Sequence, residues 1–467
     1  MIISFLMNVC SLTVSPKPIF SLISYCGKPS CWLMACRKWR NRSLGFSSWM
    51  CFILDLFCLA NLVLSNEVSS ESPTIQHQDR NSSLVAGLNV TDVHEHMMRL
   101  NKAAVKSIQS PDGDTIDCVL LHHQLAFDHP KLRDHKLQEA PSSWPDGVLQ
   151  ESESSKASEE VLQLWHQVGR CPAGTIPVRR TKAEDVLRAA SVEQFGIKKS
   201  PPVTPKLTGD PQSLSSYGHE HAIGYISGYQ FHGAQASINV WRPRIEVSKE
   251  FSLSQMWLLS GSFVGDLNSI EAGWQVSPEL YGDSNPRFFT YWTRDGYQST
   301  GCYNLLCSGF IQVGNGIAIG ASIAPVSSYS GAQYDIKILI WKDPRTGNWW
   351  MRYGQDSLVG YWPAALFTHL RGYATMIEWG GEVVNTHPRN QHTATEMGSG
   401  RFPQQGFSQA SYFRNIGLVD GSNQLHSPAN LRTLAERPSC YDIKSSYNSN
   451  WGVYFYYGGP GQNPGCR

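Results

Sequence analysis

Ser269-Ile270-Glu271-Ala272-Gly273-Trp274-Gln275-Val276-Ser277-Pro278-Glu279-Leu280-Tyr281-Gly282-Asp283 alternates in polarity with a period of two. Read as a strand, it sends Glu271, Gly273 and Gln275 to one face and Ala272, Trp274 and Val276 to the other. The second set is apolar and suits a core; the first is an acid, a gap and an amide, fit to line a polar cleft. Pro278 lacks an N–H and ends the ladder, and Tyr281-Gly282-Asp283 reads as the turn beyond it. A hundred residues on, Ala374-Thr375-Met376-Ile377-Glu378-Trp379-Gly380-Gly381-Glu382-Val383-Val384-Asn385 repeats the pattern. Glu378, Gly380 and Glu382 share one face, and Ile377, Trp379 and Gly381 the other. A glycine inside a strand weakens it unless something approaches the backbone closely. Two carboxylates with small neighbours suit general acid/base hydrolysis, one ionised and one protonated. A lone strand glutamate is more often a solvated rim residue, and the pair is what raises the catalytic reading above that.

Around these two stretches, short alternating runs separated by Gly, Asn and Asp fill the chain from 212 to 467. Candidate strands are His221–Tyr229, Ala236–Arg242, Gln255–Phe263, Ser269–Val276, Arg287–Thr293, Gly309–Val313, Ile317–Ala324, Tyr334–Trp341, Trp349–Tyr353, Thr375–Val384, Ser411–Leu418 and Trp451–Tyr457. Such runs predict an all-β antiparallel sandwich. This region carries 17 Lys/Arg against 17 Asp/Glu, and the whole chain has a net charge of +1. Neither gives an electrostatic case for nucleic acid. No phosphate loop, dinucleotide fingerprint or GxSxG word occurs, so no cofactor and no serine hydrolase of that type are expected.

Residues 1–65 differ from the rest. Arg37-Lys38-Trp39-Arg40-Asn41-Arg42 precedes the mostly apolar run Phe46 to Leu64. It reads as a signal sequence starting at Met34 and cleaved near Ser65, with a retained anchor as the weaker alternative. Residues 66–211 are polar and mixed. An amphipathic helix is expected over Thr91–Ile108, a strand over Ile116–Leu121, and short helices over Glu159–Gln167 and Lys182–Ala190, the latter capped by Thr181. Ser142–Lys156 reads as loose, and Lys198–Leu214, with four prolines, as a linker. The segment is too small to bury a core like that of 212–467, so a covering prosegment is favoured over an independent enzyme.

The words EAGWQVSPELYGD, YWTRDGYQSTGCYNLLCSGFIQ, IEWGGEVVN and MGSGRFPQQGFSQASYFRN resemble the neprosin family of plant glutamic peptidases. Upstream, SPDGDTIDCVLLHHQLAFDHPKL and GRCPAGTIPVRRT resemble that family's activation peptide. The resemblance runs from Asn89 to Arg467. It implies a double-sheet sandwich preceded by a smaller mixed α+β prosegment, and a secreted zymogen, extracellular or of the cell wall or vacuole. It also implies two glutamates that cleave peptides at acid pH, near proline in the best-known member. Glu271 matches the first glutamate. The second lies in IEWGGEV and is assigned to Glu382, with Glu378 on the same face as the alternative. Expected partners are peptides, proline-rich ones included, and the chain's own prosegment as inhibitor. A glycoside hydrolase with paired glutamates, or a non-catalytic cell-wall or carbohydrate-binding module, remains open on the residues alone.

Six of the 12 cysteines lie at or before Cys58. The others divide evenly, Cys118 and Cys171 in the prosegment and Cys302, Cys307, Cys440 and Cys466 after it. Even numbers in a secreted chain read as disulfides, paired Cys118–Cys171, Cys302–Cys307 and Cys440–Cys466. No His pair at zinc-ligand spacing stands near Cys302 and Cys307, and a metal at His387 and His392 is disfavoured. Asn81 and Asn89 open glycosylation sequons. Most tryptophans are expected in the core. Trp274 and Trp379 are expected beside the acids, with Gln275, Tyr281 and Tyr291 as candidates to orient water or the scissile carbonyl. Eight histidines fall in the prosegment (His77, His94, His96, His122, His123, His129, His135 and His166), which suggests that acid loosens it.

Overall fold

The computed structural model describes residues 84–85, 88–147, 162–198, 218–263, 265–388 and 391–467. The expected signal sequence, Asn81, His77 and most of the proline-rich linker lie outside them. All the described residues belong to one compact unit.

The prosegment opens with helix α1 (Val90–Leu100), where exposed Asn89 caps the first turn by accepting from the Thr91 N–H at 3.0 Å. The helix stops well short of Ile108. Its C-cap Asn101 is tied by its side chain to the backbone of Thr181, and the chain then forms strand β1 (Ala104–Gln109). That strand pairs with β2 (Thr115–Leu120), which pairs with β3 (Thr175–Arg179). Pairing with β2 outweighs the helical periodicity of 101–108. Residues 162–167 are likewise a two-residue strand and a 3-10 turn, because Leu162–Gln163 pairs with Ile323–Ala324 beyond the prosegment. Helix α2 spans Ala183–Leu187; the Asp185 carboxylate accepts from the Lys182 N–H, so the cap is Lys182 with Asp185 rather than Thr181.

The larger part comprises β4 (His219–Phe231), β5 (Gly233–Asn239), β6 (Ser252–Ser260), β7 (Asn268–Val276), β8 (Arg287–Thr293), β9 (Asp335–Lys342), β10 (Trp349–Tyr353), β11 (Ser357–Trp362), β12 (Ala374–Val384), β13 (Ser411–Val419), β14 (Arg432–Ala435), β15 (Asp442–Asn448) and β16 (Gly452–Gly458). They build two antiparallel sheets. One runs β8-β7-β6-β12-β4-β14. The other runs β11-β10-β9-β5-β13-β16-β15, flanked by the short strands Ile311–Gln312 and Leu425–His426. The fold is the expected mostly antiparallel sandwich. Short strands β11, β14 and β15 escaped sequence reading, since they carry few alternating apolar positions. Of Ile317–Ala324 only the last two residues are extended, the chain turning at Gly320 with φ of 89°.

The inner faces meet in one large core that holds Ile270, Ala272, Trp274, Val276, Ile377, Trp379, Ile338, Ile340, Phe413 and Phe455. Burying a tryptophan of this kind is worth about 4–6 kcal/mol at ~25 cal/mol per Å². A one-residue slip of β7 or β12 would turn Trp274 or Trp379 outward and a glutamate inward, so the register of the acids is fixed by the core behind them. Trp274 and Trp379 therefore lie on the face opposite the glutamates, not beside them.

Disulfides join Cys118 to Cys171, Cys302 to Cys307 and Cys440 to Cys466. His392 lies near the last pair, whose sulfurs are committed to each other. Removing Cys440–Cys466, which closes a 26-residue separation, is expected to cost about 2–5 kcal/mol. Mass mapping of the non-reduced protein checks the pairing, and a Cys302–Cys440 peptide would contradict it.

Candidate active site

Strand pairing sets the outer face of the six-stranded sheet as a grid. One row across it reads Tyr291, Glu271, Trp257, Glu378, Tyr225; the next reads Phe289, Gly273, Gln255, Gly380, Ile223; the third reads Arg287, Gln275, Leu253, Glu382, His221. Both glutamate strands put their acids on this face, and the middle row carries no side chain at Gly273 and Gly380. A Cβ at Gly273 or Gly380 would fall 2.0 or 2.2 Å from a backbone oxygen of the neighbouring strand, so only glycine fits. The result is a trough between two acid-bearing rows.

Glu271, Glu378 and Glu382 are all fully buried. Glu271 sits among uncharged polar groups. It accepts from Tyr297 Oη at 2.6 Å, Ser269 Oγ at 2.9 Å and Gln255 Nε2 at 2.9 Å. Glu382 sits among bases: His219 Nδ1 lies 2.5 Å from Oε1, and His221 Nε2 lies 3.9 Å from Oε2. Between the two acids stands Lys198, the last described residue of the prosegment. Its Nζ is 2.9 Å from Glu382 Oε2 and 3.5 Å from Glu271 Oε2. One ammonium thus bridges both carboxylates. The chain leading to it is tied down by Tyr303 N–H to Gly196 O at 2.8 Å and Lys198 N–H to Tyr291 Oη at 3.2 Å.

Charge explains the titration of the group. Burial alone would raise the Glu382 pKa, but Lys198, His219 and His221 together hold it far below the usual carboxylate range. Burial works against the Lys198 ammonium, yet Glu271 and Glu382 raise its pKa above the ordinary lysine value. His221 is pushed up to about 9 despite burial, chiefly by Glu436, 3.0 Å away, and then by Glu382. Glu378 is the exception. Neither of its oxygens has a hydrogen-bond partner among the described residues.

The structure thus brings Glu271 and Glu382 to one cation and leaves Glu378 apart. Trp257, Tyr291, Tyr297 and Tyr303 supply the aromatic surface around the acids that was expected from Trp274 and Trp379. Gln275 donates to Tyr281 Oη at 2.8 Å, and these two touch neither glutamate. Sequence reading missed Gln255, Ser269, Tyr297, His219, His221 and Lys198. Ser269 had a signal, since it shares the alternation phase of Glu271 on β7. Tyr297 and Lys198 had none, because each comes from a loop. His387 and His392 pair with Glu246 at 3.4 Å and Glu220 at 2.8 Å.

Elsewhere the prosegment meets the larger part through further polar contacts. Asp114 accepts from Arg287 at 2.6 Å and from Arg179 at 2.9 Å. The Gln163 amide pairs with the backbone of Ala318, at 2.7 Å both ways. His135 meets Tyr361 Oη at 2.9 Å and His166 meets Gly316 O at 2.7 Å. His122 and His123 are exposed and touch none of this.

Residues 248–460 match the family model described as Neprosin, and residues 107–225 match the Neprosin activation peptide. Among solved structures, scytalido-glutamic peptidase with a peptide-based transition-state analogue aligns at 12% identity and a TM-score of 0.28, over 52% of this chain and 97% of that one. SCP-B, an Eqolisin-family peptidase in complex with the tripeptide Ala-Ile-His, aligns at 11% identity and a TM-score of 0.26, over 52% and 97%. Superpositions this loose place no residue of this chain on any of theirs.

Proposed function

The chain belongs to the neprosin family, and from that premise we propose that it is the secreted zymogen of an acid-active glutamic endopeptidase with Glu271 and Glu382 as its catalytic pair. The observation that carries the reading is Lys198 Nζ bridging both buried carboxylates, 2.9 and 3.5 Å away. A prosegment that places a buried ammonium between two acids neutralises the groups that would activate water. While Lys198 is there, neither water nor a peptide carbonyl fits between them.

Removal of Lys198 leaves the pair short of a positive charge. Glu382 keeps His219 and His221, which favour its ionised form. Glu271 keeps Tyr297, Ser269 and Gln255, which donate to it but carry no charge. The shared proton therefore rests on Glu271. In the proposed reaction, Glu382 takes a proton from water as it attacks the peptide carbonyl. Glu271 donates a hydrogen bond to the developing oxyanion and then passes its proton to the leaving nitrogen. The need for that proton ties activity to acid pH.

Secretion is supported by three disulfides, which persist in oxidising compartments. Among the described residues no helix is long and apolar enough to cross a membrane. Preference for proline is supported by the rings of Trp257, Tyr291, Tyr297 and Tyr303 around the trough, faces on which a pyrrolidine stacks. The reading is tested by incubating the acid-treated protein with peptides. Activity in wild type that is lost in E271Q and E382Q supports it, and equal activity in all three refutes it.

Opening of the zymogen is proposed to be acid-driven. Burial lowers the pKa of His129, His135 and His166 below the ordinary histidine value. The docked state therefore holds them neutral, and the freed state takes up protons first. Docking is fully stable above about pH 6.5 and weakens as pH falls below it. Replacing His129, His135 and His166 with Gln is expected to lower the pH at which the zymogen processes itself, read from a gel series across pH. Replacing exposed His122 and His123 is expected to leave that pH unchanged.

A further inference from the structure

Glu378 is an acid of the trough that the proposed reaction does not use, and its surroundings are unusual. It is fully buried, and both of its oxygens lack a hydrogen-bond partner among the described residues. A buried carboxyl without partners costs stability and calls for a reason. Its position supplies one. In the sheet it stands two strands from Glu271 with Trp257 between them, and it stands on β12 with only Gly380 separating it from Glu382 on that face. At ~4.8 Å per strand and ~3.3 Å per residue, it lies about 10 Å from Glu271 and about 13 Å from Glu382 along the sheet. That is the reach of a few residues of extended peptide. Gly380 holds the intervening floor low, so a peptide cleaved at the pair runs past Glu378 with its backbone edge exposed.

We infer that Glu378, in its protonated form, is a substrate-binding residue that grips the peptide backbone beside the scissile bond. This rests on the peptidase reading of the trough. A neutral carboxyl presents one donor and one acceptor side by side. Its O–H donates to a peptide carbonyl while its C=O accepts from the next N–H, matching the edge of an extended strand. An ionised carboxylate has lost the donor and sets two lone pairs against the carbonyl. The form present at acid pH is the protonated one. Burial raises the Glu378 pKa to about 7; His221 opposes the shift, and the charges of Glu436, Glu271 and Glu382 add to it. The remaining groups facing this part of the sheet are Tyr225 on β4 and Arg432 on β14, whose guanidinium lies 4.9 Å from the Tyr225 ring centre.

The test compares full-length protein after acid activation, as wild type, E378Q and E378L, on one peptide across pH. A Gln amide keeps one donor and one acceptor at every pH; Leu keeps neither. The wild-type KM is expected to rise about tenfold as pH climbs past 7, while E378Q shows a flat KM and E378L a KM raised about tenfold throughout. A KM in E378Q that rises with pH as in wild type overturns the inference, as does a wild-type KM in E378L. Binding of an uncleaved peptide to E271Q and to E271Q/E378Q, each freed of its prosegment at acid pH by an added protease, followed by calorimetry, reads the same contact without turnover. Affinity lost above about pH 7 in E271Q but not in E271Q/E378Q supports the role. Identical profiles, or no binding by E271Q at any pH, refute it. A wild type that binds peptide but cleaves none would refute the peptidase reading and leave the backbone contact standing.

Discussion

Glutamine in place of Glu382 or Glu271 is expected to cut turnover of a peptide substrate by on the order of a hundredfold or more, with the fold intact. Each position has lost either the base or the acid of the same proton transfer, so the double variant is expected to be little worse than either single one. The two differ in detail. In E382Q, His219 and His221 face a neutral amide in place of the base that takes the proton of water. In E271Q, the amide still donates a hydrogen bond to the oxyanion but has no proton to give the leaving nitrogen. Substrates with better leaving groups than an alkylamine should therefore recover part of the rate in E271Q and none in E382Q. Single-turnover measurements with an amide and an activated ester check this. Equal recovery in both variants would contradict the assignment of acid and base. In E378Q the change should fall on KM, which separates binding from chemistry.

The second large effect is expected from K198M. Methionine fills much of the same space without the charge, so Glu271 and Glu382 stay buried with one cation fewer. Breaking a buried pair by removing one partner costs about 3–5 kcal/mol, here taken from the docking of the prosegment. In wild type the depressed pKa of Glu382 means that the bridge is fully present above about pH 4.5 and is lost as pH falls through the lowered value. The K198M zymogen lacks that term at every pH above it. It should process itself at a pH at least about one unit higher than wild type. K198R, which keeps the cation, should remain closer to wild type. The measurement is the pH at which half of the purified full-length chain is converted in a fixed time. An unchanged midpoint in K198M would show that the bridge does not hold the prosegment in place.

The residues that organise the sheet were legible because one physical rule governs them. Period-two alternation put Glu271 on one face of its strand with Gly273 and Glu382 on one face of its own with Gly380, and the pairing of β7, β6 and β12 joins those faces. The same rule, applied strictly, would have put Trp274 and Trp379 behind the sheet; the expectation that they flank the acids confused neighbours in sequence with neighbours in space. Trp257 does flank them, from the strand between. Lys198 illustrates what a local pattern cannot carry. It is one lysine beside another at the edge of a proline-rich stretch, and its meaning comes from carboxylates 73 and 184 residues away in sequence. His219 and His221 belong to the same class, as their Glu382 partner lies on the adjacent strand but far along the chain. The failures in the prosegment have a different cause. Residues 101–108 and 162–167 carry helical periodicity, but strand pairing decides their conformation, with the adjacent hairpin strand Thr115–Leu120 in the first case and with distant Ile323–Ala324 in the second.

The charge count of the trough also bears on why such an enzyme would work in acid. Glu271, Glu378, Glu382 and Glu436 face His219 and His221 once the prosegment has gone. With Glu378 neutral, the proposed reaction still needs one proton on the pair to spend on the leaving amine. Raising the pH removes it and closes the reaction from the alkaline side. Departure of Lys198 and acquisition of the proton are thus linked events, both favoured by the same fall in pH.

The most direct test is to hold the full-length protein at about pH 4, where the prosegment is expected to open, with a proline-rich protein as substrate, and to sequence the fragments. The account predicts new peptide termini clustered at proline, appearing together with loss of the prosegment. Intact substrate after complete removal of the prosegment, or release of sugars in place of peptides, would contradict it.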